Sequence, residues 1–172
     1  MAQDNVLITL AQEKLVKLID FEEGWREVPY LCSEGYPTIG FGFRIGPKES
    51  ALHHYQFTLP RQAGEIWLSS LLASVTSEAE HTPDIKRALA SCNEARQAVL
   101  ISMAYQMGTS ALNQFKKTLT AIENRRWDEA HDEMLNSRWA QQTPARAQRH
   151  AQQMLTGTWY AGYKVSDLYN IK

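Results

Sequence analysis

Glu23 is the residue from which chemistry in this chain can be argued first. Hydrolysis of a glycosidic bond needs a carboxylic acid to protonate the leaving oxygen and a second group that activates water or attacks the sugar. Glu23 suits the first role. It ends a helical pattern just before Gly24 and just ahead of a glycine-punctuated segment, a junction where a cleft can form. An arbitrary glutamate is usually a solvated carboxylate, so the case depends on its surroundings. Eight residues separate Glu23 from Cys32 and five separate Cys32 from Thr38, which lies in the run Gly35-Tyr36-Pro37-Thr38-Ile39-Gly40-Phe41-Gly42.

The elements that must position these groups follow from periodicity. Leu10, Leu15, Leu18 and Ile19 recur at helical spacing, which predicts a first helix over 9–23 with Thr9 as cap and Gly24 after the last turn. Over 28–45 the glycines Gly35, Gly40 and Gly42 punctuate Tyr, Thr, Ile and Phe, the pattern of a small hairpin sheet. Thr58-Leu59-Pro60 supplies a cap and an early proline for a connecting helix over about 58–78, with Ile66, Leu68, Leu71, Leu72 and Val75 as its apolar positions. Asn93 caps a hydrophobic segment, Ala95 to Met107, that ends at Gly108 and is apolar nearly all round, so it should be a buried central helix. Further helices are predicted at about 115–124, 127–135, 138–142 and 144–155, with Pro144 at a start and Gly157 at a stop.

The expected architecture is α+β, one domain over 1–172 with two lobes. A first helix and β lobe occupy about 9–57, the connecting helix about 58–78, and a mostly helical lobe about 79–172.

Composition narrows the function classes. With 44% hydrophobic and 22% charged residues, the 172-residue chain reads as an ordinary globular protein. No run approaches the ~18 apolar residues of a membrane span, so stable membrane insertion is not expected. The N-terminal residues lack the charged and apolar regions of a secretory signal, which implies retention in a cytoplasm. Cys32 and Cys92 fit neither a CxxC nor a zinc spacing, so no metal or other cofactor is expected and both should be free thiols. Residues 1–85 carry six Lys/Arg against twelve Asp/Glu, whereas 86–172 carry twelve against seven. The basic half could steer toward an anionic polymer, although a solvated Arg-rich surface is the plainer reading.

The spacing Glu23, Cys32, Thr38 within the glycine-rich hairpin resembles the catalytic signature of the phage-type lysozymes, in which the middle position is Asp or occasionally Cys. The similarity extends through Ser102-Met103-Ala104-Tyr105-Gln106-Met107-Gly108, Arg126-Trp127-Asp128-Glu129-Ala130, Ser137-Arg138-Trp139, Gln142-Thr143-Pro144 with Arg146-Ala147, and Thr156-Gly157-Thr158-Trp159. It is weakest over 43–92. The resemblance implies a lysozyme-like two-lobed fold and cleavage of the β-1,4 bond between N-acetylmuramic acid and N-acetylglucosamine in bacterial peptidoglycan.

Residue by residue, the resemblance implies that Glu23 is the general acid, Thr38 holds the attacking water and Arg146 pairs with Glu23. Tyr105 and Thr118 fall on positions that contact the saccharide. The family's substrate-contacting Asn is Glu133 here, and its His after the hairpin is Phe43. At Cys32 three readings stay open. It is a polar group beside the water, a nucleophilic thiolate, or a passive thiol; the first is preferred. An unperturbed thiol, pKa near ~8.5, is only a few per cent thiolate at neutral pH. Glu34, in the turn beside Gly35, is a weak substitute carboxylate, and no redox pairing of Cys32 with the distant Cys92 is expected.

Inversion at the anomeric carbon is implied, with Glu23 and the water-holding group on opposite faces of the sugar. The alternatives are a lytic transglycosylase, disfavoured by the presence of Thr38, and a non-catalytic peptidoglycan-binding module. The resemblance further implies an endolysin, held in the host cytoplasm until a holin releases it. No heptad or exposed apolar stripe announces a protein partner, so a monomer is expected, and no nucleic-acid partner is expected.

Overall fold

The computed structural model describes residues 2–169, with side chains over 11–168. The first helix, α1 (Ala2–Glu23), starts earlier than its sequence pattern predicts and places Thr9 inside the helix, not at its cap. The side chains of Thr9 and Leu10 lie outside the described residues. Leu18 and Ile19 are fully buried on its inner face, and Leu15 packs against the core. Gly24, at φ +70°, ends the helix with its N–H donating to the Asp20 carbonyl at 2.9 Å. A left-handed residue here needs no Cβ, and it turns the chain at Glu23 into the sheet.

Three antiparallel strands follow, β1 (Arg26–Leu31), β2 (Pro37–Gly40) and β3 (Phe43–Arg44), paired in the order β1-β2-β3. Thr38 sits between Tyr30 on one side and Arg44 on the other. Register shifts between Arg26 and Tyr30, and Pro29 in that interval lacks an N–H to donate, which an edge strand tolerates. All four β2 residues are buried, so the sheet holds Thr38 on its best-fixed strand.

A 3-10 turn (Leu52–His54) leads to α2 (Arg61–His81). The helix begins after Pro60, whose extended backbone makes it the flanking residue, so Thr58 is not the cap that the sequence suggests. Leu68 and Leu72 are buried as the periodicity requires, but Ile66 is 69% exposed. Next comes α3 (Pro83–Ser91), for which no helix is predicted from the sequence; a proline at its first turn and Asp84 there favour that start.

The central helix α4 (Glu94–Met107) is capped as expected, the Asn93 side chain accepting from the Arg96 N–H, and it ends at Gly108. Residues 98–104 of α4 are buried on every side. Around it pack α5 (Thr109–Leu112), α6 (Lys116–Glu123), α7 (Trp127–Leu135), α8 (Arg138–Gln142) and α9 (Pro144–Thr156). All but the one-turn α5 are foreseen within a residue or so. Two short 3-10 turns, Ala161–Tyr163 and Val165–Tyr169, close the chain back on α1. The α+β arrangement, with a small sheet beside a mostly helical lobe, agrees with the fold read from the sequence. Among the described residues no helix is long and apolar enough to cross a membrane.

Candidate active site

Between the sheet and the central helix lies a cleft of about 680 Å³, lined among others by Glu23, Tyr30, Cys32, Thr38, Trp67 and Tyr105. Glu23 reaches it from the last residue of α1, Cys32 from just beyond β1, Thr38 from β2 and Tyr105 from α4. Three successive elements near the N-terminus and one distant helix therefore converge on one space.

Arg146, on α9, holds Glu23. Its Nη1 donates to Glu23 Oε1 at 2.6 Å, while Nη2 donates to the Ser102 hydroxyl at 2.9 Å and to the Ser102 carbonyl at 3.3 Å. The Arg146 side chain is 7% exposed and that of Glu23 is 22% exposed, so one face of the carboxylate is clamped and the other looks into the cleft. Gly42, at φ +81°, lies against the second oxygen: a Cβ there would stand 3.1 Å from Glu23 Oε2. Glycine at this position leaves room for the acid.

Thr38, itself buried, donates its hydroxyl proton to the Tyr36 carbonyl at 2.8 Å. Its oxygen keeps lone pairs for accepting from a water. Burial pushes the Cys32 thiol up, but hydrogen bonds from the backbone of Tyr36 and Glu34 outweigh it. The thiol is left below its ordinary value even with the Glu34 charge opposing. Both cysteines are free. The family profile described as Phage lysozyme matches residues 20–157, which include Glu23, Cys32, Thr38, Tyr105 and Arg146.

The chain belongs to the phage lysozyme family.

Two proteins of Dictyostelium discoideum described as probable T4-type lysozymes are 28% and 30% identical to it, over 158 and 161 residues. These alignments cover 82% and 84% of this chain and 93% and 95% of the relatives. The pre-baseplate central spike protein Gp5 of Enterobacteria phage T4 is 32% identical over 161 residues, 83% of this chain but 28% of that protein. As a phage lysozyme family member the chain is a glycosidase-type hydrolase.

In this phage lysozyme family chain, Thr118 stands apart from the other candidate residues. It is buried and lines a neighbouring hollow of about 570 Å³ with Phe115, Lys117, Glu133 and Trp139; Met107 lines both spaces. Tyr105 spans the lobes, its hydroxyl donating to the Phe41 carbonyl at 2.9 Å. Glu34 faces the same cleft, but its carboxylate is bound to Arg44 at 2.6 Å, so the salt bridge engages the group considered as a substitute acid.

Several cleft residues escape sequence reasoning. Trp67 stacks on Phe43 with ring centroids 4.4 Å apart, forming an aromatic wall. Periodicity marks Ile66 and Leu68 around it, yet gives no sign that Trp67 turns toward the sheet. Gln106 also lines the cleft, where its Oε1 accepts from Trp139 Nε1 at 2.8 Å. Behind the cleft, Glu22 is buried and takes two hydrogen bonds from Arg149 and one from the Tyr163 hydroxyl. Burial raises its carboxyl, but Arg149 and Tyr163, with the Arg146 charge, bring it below the usual carboxylate range. The adjacency Glu22-Glu23 was the available signal, since consecutive helix positions point to different sides. Among the described residues no group of three or more His, Cys, Asp or Glu is placed to hold a metal ion.

Proposed function

We propose that this chain hydrolyses the β-1,4 bond between N-acetylmuramic acid and N-acetylglucosamine in bacterial peptidoglycan. The observation that carries the reading is the clamped Glu23 carboxyl, open on one side to a cleft also lined by Cys32 and Thr38. Peptidoglycan hydrolase gp36 of Pseudomonas phage phiKMV, 28% identical over 132 residues, supports the substrate class.

Glu23 gives its proton to the leaving glycosidic oxygen as the C–O bond breaks. A water donating to Thr38 Oγ1 attacks the anomeric carbon from the opposite face, and its surplus proton passes to solvent, or to Cys32 when that side chain is the thiolate. Inversion follows, because acid and water sit on opposite sides of the sugar. Tyr105 lines the saccharide path, Thr118 flanks the hollow beside it, and Arg146 fixes the acid. The lowered Cys32 thiol favours a polar role beside the water over a passive one.

The biological setting we infer is a monomeric endolysin that waits in the host cytoplasm for holin-dependent release. Turbidity loss of membrane-permeabilised Gram-negative cells tests the activity. Wild type clears them, and Glu23→Gln does not; equal clearing by both would sink the catalytic reading. The α-anomer in product NMR marks inversion, whereas anhydro-muropeptides in the mass spectrum would mark a transglycosylase. Expression inside cells tests the setting: lysis should await permeabilisation of the inner membrane, and spontaneous lysis would refute dependence on release.

A further inference from the structure

His150 lies on α9 one turn beyond Arg146 and is completely buried, yet none of the chemistry above uses it. Its ring faces Ser102 from α4, Tyr163 from the C-terminal turn, Glu22 from α1 and Trp139 from α8, with Arg146 and Arg149 on its own helix. Nε2 is 2.8 Å from the Ser102 hydroxyl and Nδ1 is 3.3 Å from the Tyr163 hydroxyl.

Donor and acceptor roles along this chain can be assigned by elimination. Tyr163 has one hydroxyl proton and gives it to Glu22 Oε1 at 2.6 Å, because an ionised carboxylate only accepts. Tyr163 therefore accepts from His150, which places a proton on Nδ1. Burial together with the Arg146 charge keeps the ring neutral, the imidazole falling to about 3. A neutral imidazole with Nδ1–H has an acceptor at Nε2, so Ser102 donates there. The Ser102 oxygen is then left to accept from Arg146 Nη2 at 2.9 Å. Every hydroxyl proton in the sequence Glu22, Tyr163, His150, Ser102, Arg146, Glu23 has one direction.

We propose that His150 is a positioning residue for Glu23. Held as the Nδ1–H tautomer by Tyr163 and Glu22, it takes the Ser102 proton, aims the Ser102 oxygen at Arg146, and so fixes the guanidinium that clamps the acid. Arg146 depends on this anchor more than a surface arginine would, since its Nε is buried with no hydrogen-bond partner. The inference rests on Glu23 being the acid, but the tautomer itself does not.

Two measurements on the full-length protein test it. In ¹⁵N NMR of histidine-labelled protein, His150 should show a protonated Nδ1 and an unprotonated Nε2, unchanged from pH 8 to pH 5. An Nε2–H tautomer, or titration in the ordinary histidine range, would overturn the relay. In cell-wall hydrolysis, His150→Leu should lower kcat about tenfold with little change in KM, since a displaced catalytic group costs rate more than binding. His150→Gln, which keeps a donor and an acceptor, should recover most of kcat. A variant that melts lower yet keeps kcat would show a merely structural histidine. Ser102→Ala breaks the same link and replaces His150→Leu if that variant does not fold. An inactive wild type would defeat the proposed function but leave the NMR test standing.

Discussion

Arg146 Nη1 lies 2.6 Å from Glu23 Oε1, joining residues 123 positions apart on α9 and α1. The pair crosses from the first helix to the helical lobe at the back of the cleft. Removing one partner of such a pair leaves a largely buried charge uncompensated, a cost of about 3–5 kcal/mol. Arg146→Ala should therefore lose stability of that order in urea denaturation and lose nearly all hydrolysis. Arg146→Lys should rescue little, because one ammonium cannot reach both Glu23 and Ser102 as the guanidinium fork does. Near-wild-type stability in Arg146→Ala would show the ion pair to be incidental.

Gly42 makes a sharper steric prediction. In Gly42→Ala the new Cβ meets Glu23 Oε2 at 3.1 Å on a backbone with φ +81°, and left-handed strain at a non-glycine residue costs about 1–3 kcal/mol. The variant should stay folded, melt several degrees lower and show reduced kcat. Unchanged kcat in steady-state assays would mean that the acid does not depend on this space.

The two cysteines should differ in reactivity. Cys92, between α3 and α4, is pushed up to about 12 by burial, whereas Cys32 is held below its ordinary value by the backbone amides around it. Since the thiolate is the nucleophile, iodoacetamide at pH 7.5 should label Cys32 far faster than Cys92, as mass spectrometry of peptides would show. Labelling should stop hydrolysis, and Cys32→Asp should restore a group that polarises water. Full activity of the Cys32-labelled protein would remove that residue from the mechanism.

Stability should fall toward acid, and the sign follows from His150 and Glu22. Unfolded His150 binds a proton below about 6.5 while the folded ring, at about 3, does not, so the unfolded state gains protons first. Folding free energy then declines by up to about 1.4 kcal/mol per pH unit below that point. Glu22 adds to the loss at lower pH, its folded carboxyl lying below its ordinary 4.5. Thermal melts at pH 7, 6, 5 and 4 should show the decline in wild type and a flatter line from 6.5 downward in His150→Leu. Parallel lines for the two proteins would contradict it.

Tyr105 should behave as a strap between lobes. Tyr105→Phe removes only the hydroxyl that donates to the Phe41 carbonyl, a net cost of about 1 kcal/mol. Hydrogen exchange at the amides around Phe41 should speed up while α4 stays protected. Equal exchange in both proteins would show that the hydrogen bond does not hold the sheet to the helix.

Much of the fold is legible because helices write themselves locally. Asn93 and Gly108 bracket α4, and Pro144 and Gly157 bracket α9, so capping chemistry fixes both ends before any packing is known. The errors fall where local signals are absent or compete. Thr58 looks like a cap, yet Pro60 sets the extended turn from which α2 starts. Helix α3 has a start signal at Pro83 but too short an apolar repeat to stand out.

For the site, residue types and spacing alone name the available groups: an acid at a helix end, a thiol and a hydroxyl spaced along a hairpin, and the family pattern that ties them together. They name the elements too, since hydrogen bonds within helices and turns join near neighbours. Which groups face each other is set by packing. Packing α9 across α4 and α1 sets Arg146 on Glu23, and the same packing buries His150 and Glu22 behind them. It also turns Trp67 onto Phe43 and places Thr118 in the adjoining hollow. Those contacts join residues tens of positions apart, and no local periodicity encodes them. They arise when apolar faces are buried together, and they leave polar groups such as Ser102 and Tyr163 to find partners within the closed core.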